Sequence, residues 1–263
     1  MTVSKRNSGI GGTVGCLSEV DVVILAGGQG TRLRSLLPDV PKILAPVAGV
    51  PLLDRIFDWL RCFGARRVIL SLGHMSEVVK RYVDEVKFDG FEIVLVIEPE
   101  PLGTGGALRF VEKFCQSDPV LVINGDTLVE ADLCFFLSEH RQAGTDISLI
   151  CAQKNDASSY GRVEIAQNRV VAFHEKDPSW QGATFVSAGV YIFSNFAIAS
   201  IPDSGVVSLE RDVLGIQPSG SIGAYTDRVS FLDIGTPASF VEAGEAIARG
   251  DFGGARDNDG DTQ

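Results

Sequence analysis

Apolar positions along the chain alternate between two rhythms. In "DVVILA", residues 21–26, they run almost without interruption, whereas over 51–63 they fall at helical spacing, at Leu52, Leu53, Ile56, Phe57 and Leu60. The first pattern predicts a strand buried on both faces, the second an amphipathic helix. Pro51 suits a first helical turn and Gly64 a stop. The alternation then repeats: "RRVILSLG" (66–73) as strand, 76–86 as helix, "FEIVLVIE" (91–98) as strand, 105–114 as helix and "PVLVING" (119–125) as strand. Such repeats imply right-handed crossovers and a mostly parallel sheet flanked by helices.

From Thr145 the pattern changes. "DISLICAQ", "YGRVEIA", "RVVAFHEK", "TFVSAGVYIF" and "RVSFLDIG" read as strands with few long helices between them. This half is expected to extend the sheet and fold over its mouth, and a helix over 237–249 closes the domain. The resulting organisation is one α/β domain over 20–250, with halves at about 20–144 and 145–250. A flexible leader is expected over 1–19 and a disordered tail over 251–263. The tail's "DNDGD" does not have the spacing of a calcium loop. "CFFL" (134–137) reads as core.

Charge narrows the partners. The 263 residues carry 23 basic and 34 acidic side chains, a net charge of −11. That disfavours a nucleic-acid surface, which needs a basic stripe, and an anionic membrane. No run approaches a membrane span. The five cysteines (16, 62, 115, 134 and 151) are odd in number and without C-x-x-C spacing. They read as reduced packing residues of a cytoplasmic protein.

The loops after the strands carry the chemistry, because ligands in such sheets sit beyond the strands' carboxyl ends. "GGQGTR" (27–32) follows the first strand, "EPEPLGTGG" (98–106) the third and "NGDT" (124–127) the fourth. A glycine-rich turn after a buried strand lets backbone N–H groups approach phosphate. The dinucleotide fingerprint fails here, since Leu33 stands at its third glycine, and there is no G-K-[ST] of a Walker loop. What remains is G-G-x-G-T-R followed by Lys42 in "PKILAPV".

These residues resemble the sugar-1-phosphate nucleotidyltransferases, whose signature is a G-x-G-T-R-L loop followed by P-K and P-V. The similarity continues in order through "PLGTGGAL" (101–108), "NGDT", "YGRVE" (160–164), "HEK" (174–176), "SAGVYIF" (187–193) and "FLDIGTP" (231–237). Within the family the chain is most similar to the D-glycero-D-manno-heptose 1-phosphate guanylyltransferases. The resemblance implies a Rossmann-like, GT-A-like fold with a nucleotide-binding half and a β-rich sugar-binding half. It also implies transfer of a nucleotidyl group from a nucleoside triphosphate to a sugar 1-phosphate with release of pyrophosphate. Mg²⁺ is the implied cofactor, and a homo-oligomer is compatible with it.

The implied roles fall on matching positions. Arg32 faces the leaving phosphates, and Lys42 neutralises charge at the α-phosphorus. Leu25, Ala26, Gly27, Gly28, Gly30, Thr31, Gly103 and Thr104 cradle the nucleotide. Asp126 and Asp233 hold the metal. Asn124, Gly161, Glu175, Lys176 and Ser187 meet the sugar phosphate, with Lys176 gripping the phosphate itself. Ser187 departs from the asparagine common in relatives, so the sugar is open. Glu98 stands where some relatives read the base with glutamine. A carboxylate accepts from guanine N1–H and the exocyclic amine together, which favours GTP. A non-catalytic sugar-nucleotide sensor is the competing class, and it is expected to lack the metal carboxylate or the phosphate cations.

Overall fold

The structure is a computed structural model that describes residues 15–157, 160–174, 177 and 179–252. Most of the expected leader (1–14), most of the tail (253–263), and Glu175 and Lys176 lie outside the described residues. The last part of the leader is built into the fold, contrary to expectation. Leu17 is buried and its N–H donates to the Phe63 carbonyl at 3.1 Å.

The first half follows the two rhythms closely. β1 (Val22–Ala26) leads through a 3-10 turn at Lys42–Leu44 to the short hairpin β2 (Pro46–Val47) and β3 (Val50–Pro51), then α1 (Leu52–Cys62). β4 (Arg67–Leu72), α2 (Ser76–Val86), β5 (Glu92–Ile97), α3 (Gly103–Val111) and β6 (Val120–Asn124) continue the alternation. β1, β4, β5 and β6 pair in parallel in the order β5-β4-β1-β6. Period-2 geometry sends Val22 and Ile24 into the core beneath α1, and Val23 and Leu25 into the core beneath α3. A continuous apolar run is what a strand covered on both faces requires.

β7 (Thr127–Glu130) and α4 (Leu133–Ala143) then lead into the second half: β8 (Ile147–Lys154), β9 (Arg162–Ala166), β10 (Arg169–His174), β11 (Thr184–Phe193), α5 (Asn195–Ala199), a π-helix at Leu209–Leu214, β12 (Ile222–Tyr225), β13 (Ser230–Asp233) and α6 (Pro237–Arg249). The nine-stranded sheet runs β5-β4-β1-β6-β11-β8-β12-β10-β9. β11 enters antiparallel beside β6, so the sheet is mixed and the parallel pairing expected for most of it is concentrated in the first half. Beyond β6 only the β8–β12 neighbours run parallel. β7 and β13 form a separate antiparallel ribbon.

Two further expectations change. Cys16 and Cys134 are joined by a disulfide across 118 residues, which overturns the reading of five reduced cysteines and removes its support for a reducing compartment. Cys62, Cys115 and Cys151 are free. α4 also takes up the "CFFL" stretch unevenly: Phe136 and Leu137 are buried, but Phe135 is exposed because it lies on the outer face of the helix. Among the described residues no helix is long and apolar enough to cross a membrane.

Candidate nucleotide and sugar-phosphate site

A cavity of about 390 Å³ opens at the carboxyl ends of β1 and β6. All ten residues expected to cradle the nucleotide line it: Leu25, Ala26, Gly27, Gly28, Gly30, Thr31, Arg32, Glu98, Gly103 and Thr104. Lys42, Asn124 and Asp126 complete the polar wall. The loop is held from both ends. Gly30, at φ +58°, turns its carbonyl to receive the N–H groups of Leu33 and Arg34, at 3.0 and 3.1 Å. Leu33 is buried, so the residue that breaks the dinucleotide fingerprint anchors this loop in the core. Arg32 is left exposed at the cavity. Arg34 is engaged elsewhere, with the Gln29 carbonyl and the His74 ring.

Lys42 and Asp126 form the site's central contact, Nζ to Oδ2 at 2.6 Å. The Lys42 side chain is 15% exposed and that of Asp126 39%. The pair satisfies two charges that would be costly to leave alone in a half-dry cleft. Asp126 is also joined to the β7–β13 ribbon. Its carbonyl accepts from the Ile234 N–H at 3.1 Å, and Asp233 lies opposite Thr127. The fold thus brings the segments bearing Asp126 and Asp233 side by side, although the Asp233 side chain does not line the cavity and Gly235 does. Asp233 does not cap α6. Thr236 does, in a reciprocal box with Ser239, and Asp233 instead accepts from the Gly235 N–H at 2.9 Å.

Glu98, expected to read the base, lines the same cavity. Its carboxylate accepts from Ser71 Oγ at 3.2 Å and from the Leu102 N–H at 3.3 Å. Burial raises its pKa, and these two bonds oppose the rise. A Cβ at Gly27 would stand 2.1 Å from Glu98 Oε1. Gly27 therefore makes room for a carboxylate, a role that motif reading did not reveal. The "LGTGG" glycines serve a second purpose too. Gly103, at φ +74°, would place a Cβ 2.4 Å from the Val207 carbonyl. That carbonyl accepts from the Gly105 and Gly106 N–H groups, and Thr104 Oγ1 accepts from the Leu209 N–H. A strap over 206–209 thus lies across the α3 N-terminus, and Val206 joins the cavity lining. Nothing in the motif pattern marked Val206, because only the fold brings it there.

Of the described residues expected to meet the sugar phosphate, Asn124 alone lines the cavity. Its buried Oδ1 has no hydrogen-bond partner among the described residues. Ser187 does not line the cavity, against expectation. β11 bulges between Ser187 and Tyr191, with Gly189 at φ +75°, and the serine hydroxyl is spent inside: it donates to Tyr191 Oη at 3.1 Å and accepts from the Gly189 N–H at 3.3 Å. Gly161, just before β9, is not among the lining residues either.

A glycine loop with an exposed arginine, a lysine–carboxylate pair and a buried acceptor at the carboxyl ends of a parallel half-sheet define a nucleotide-handling transferase site. The chain matches the family described as Nucleotidyl transferase over residues 21–250 and belongs to it. The expected family and fold are borne out, and the relatives are enzymes of the expected class. Mannose-1-phosphate guanylyltransferase of Mycobacterium tuberculosis is 36% identical over 88% of this chain, which spans 66% of that protein's length. D-glycero-alpha-D-manno-heptose 1-phosphate guanylyltransferase of Aneurinibacillus thermoaerophilus is 33% identical over 85% of this chain and 96% of its own. The crystal structure of HddC from Yersinia pseudotuberculosis complexed with GMP-PN superposes with a TM-score of 0.77, at 34% identity, over 87% of this chain and 99% of that one.

Proposed function

We propose that the protein transfers a guanylyl group from GTP to a sugar 1-phosphate, heptose 1-phosphate first, and releases pyrophosphate. The observation that carries this reading is the Lys42–Asp126 pair at the mouth of the glycine loop, with a guanine-compatible carboxylate at the other end of the same cavity. Backbone N–H groups of 27–30 hold the triphosphate, and Arg32 draws off charge on the departing phosphates. Lys42 meets the α-phosphoryl oxygens. Fixed cations aimed at developing charge are worth about 10²–10³ in rate each. The Asn124 acceptor and the half of the chain beyond 145 orient the sugar phosphate for in-line attack.

Two carboxylates on neighbouring segments, one in the turn before β7 and one at the end of β13, suit Mg²⁺, which binds through one or two carboxylates together with substrate phosphates. Asp126 and Asp233 would hold it, and bound there it would offset charge between the two anionic substrates. The cations and carboxylates that a non-catalytic sensor would lack are in place at Arg32, Lys42, Asp126 and Asp233. Mannose 1-phosphate is the second acceptor reading, favoured by the 36% identity to the Mycobacterium enzyme.

The test is pyrophosphate release over a grid of triphosphates and sugar 1-phosphates, repeated with Asp126→Asn. The expected result is activity with GTP and heptose or mannose 1-phosphate, lost by at least about 10²-fold in the variant. UTP or CTP as the best donor would overturn the guanine reading. Full activity in the variant would overturn the site.

A further inference from the structure

Lys154 ends β8 in the sequence "ICAQK" and belongs to none of the motifs above. Its ammonium is half-buried and donates to the Phe231 carbonyl in β13 at 3.1 Å. It lies 5.0 Å from the Phe231 ring centre and 5.9 Å from that of Tyr160, and the two rings meet edge to face. Asp233 and Glu242 are the carboxylates whose charge it feels. Burial lowers its pKa, and those two carboxylates oppose the fall.

The three elements gathered around this ammonium matter to the reaction. Phe231 lies two residues before Asp233 on β13. Tyr160 immediately precedes Gly161 at the entry to the sugar half. Glu242 lies on α6, which starts just after the ribbon. A strut that only filled space here would be better made of methionine or leucine, since taking a cation out of water is costly and apolar replacements of buried charges are often neutral or stabilising. The cation instead binds one strand by its carbonyl and two rings by their faces, all at one point. An ammonium fixed in this way has little freedom, and neither do the groups that it holds.

We propose that Lys154 is a positioning residue for nucleotidyl transfer, its ammonium fixing the β13 backbone beside Asp233 and the Tyr160 ring beside Gly161 so that the metal-side carboxylate and the sugar wall keep one mutual geometry. The proposal rests on the assignment of Asp233 as a metal ligand, and the experiment separates the two. Lys154→Met, Lys154→Arg and Asp233→Asn are compared in the full chain. Mn²⁺ affinity is read by electron paramagnetic resonance in the presence of the imido analogue of GTP, alongside the thermal midpoint and the KM for each substrate.

Lys154→Met is expected to fold and to weaken Mn²⁺ binding by about 10- to 100-fold, the usual effect of losing a group that orients a ligand. Its sugar 1-phosphate KM is expected to rise by a similar factor. The triphosphate KM without the sugar dependence stays close to wild type, and Lys154→Arg recovers much of the loss. A merely structural lysine would lower the thermal midpoint and leave both constants unmoved, which overturns the proposal. Asp233→Asn with unchanged Mn²⁺ affinity overturns the metal assignment, and the proposal with it. Loss in Asp233→Asn with wild-type constants in Lys154→Met overturns the proposal alone. Should Lys154→Met not fold, Lys154→Gln, which keeps a donor but no charge, is read on the same scale. An intermediate shift supports the proposal and wild-type constants overturn it.

Discussion

Gly27→Ala tests whether the glycine loop and the base-end carboxylate are one device. The added Cβ would lie 2.1 Å from Glu98 Oε1 and 2.8 Å from its Cδ. An unforced carbon–oxygen contact is about 3.3 Å, so the carboxylate must retreat by roughly 1 Å. Its bonds from Ser71 Oγ and the Leu102 N–H are already 3.2 and 3.3 Å long, and such a retreat breaks both. Hydrogen bonds to a charged group contribute about 1.5–3 kcal/mol each at good geometry. At these lengths, and with Glu98 half-buried, a combined loss of about 1–3 kcal/mol is expected in urea unfolding.

The functional effect is sharper. If Glu98 accepts from guanine's exocyclic amine, the wild type should prefer GTP to ITP, which lacks that amine, by about 10- to 100-fold. In Gly27→Ala the GTP-to-ITP preference should fall to within about threefold of unity, whatever change in rate the two donors share through the altered loop. The assay is steady-state pyrophosphate release with each donor at a fixed sugar 1-phosphate concentration. A folded variant that keeps the wild-type GTP-to-ITP ratio would refute the idea that Glu98 reads the base.

Two further outcomes follow from residues away from the cavity. His140 is buried against Ser148 Oγ at 2.9 Å, and burial, helped by Arg141, lowers its pKa below the ordinary 6.5. The unfolded chain therefore binds the proton first, so this contribution is present above pH 6.5 and is lost as pH falls through the folded value, by at most about 1.4 kcal/mol per pH unit. The stability gap between wild type and His140→Asn should shrink between pH 7.5 and 5.5, and a constant gap in urea titrations would count against it. Cys16→Ser should lower stability by up to about 4 kcal/mol, the loop-closure value for a long cross-linked segment. Dithiothreitol should shift the wild-type thermal midpoint and leave the variant's unchanged; a reductant-insensitive wild type would refute the staple.

The parallel half was legible because strands buried on both faces must be apolar throughout, and β1, β4 and β6 carry no polar interruption strong enough to hide them. β7 and β12 were not, since four residues are too few to show a period. α4 was missed because its apolar residues crowd its first turns while its last turns are polar, so the helical spacing fades along its length. Asp126 and the glycine loop could be named from motif order because each follows the end of a strand, and Lys42 because it follows the loop in a Pro-Lys pair. The contacts that shape the site and staple the fold could not: Gly27 under Glu98, Val207 over α3 and Cys16 beside Cys134 join positions 71, 104 and 118 residues apart, distances that only the finished fold closes.

The strap across α3 bears on where, in the proposed reaction, a triphosphate's charge would go. A helix N-terminus offers free N–H groups and a positive dipole end, and "PLGTGG" looks like such an anion seat. Here the chain fills that seat with its own Val207 carbonyl, and the strap that supplies it comes from the other half of the sequence. In the proposed reaction the phosphates fall to the loop after β1, and no piece cut from the chain near residue 145 would carry the complete cavity wall. At this point the two halves meet through a backbone carbonyl that stands where an anionic ligand would otherwise stand.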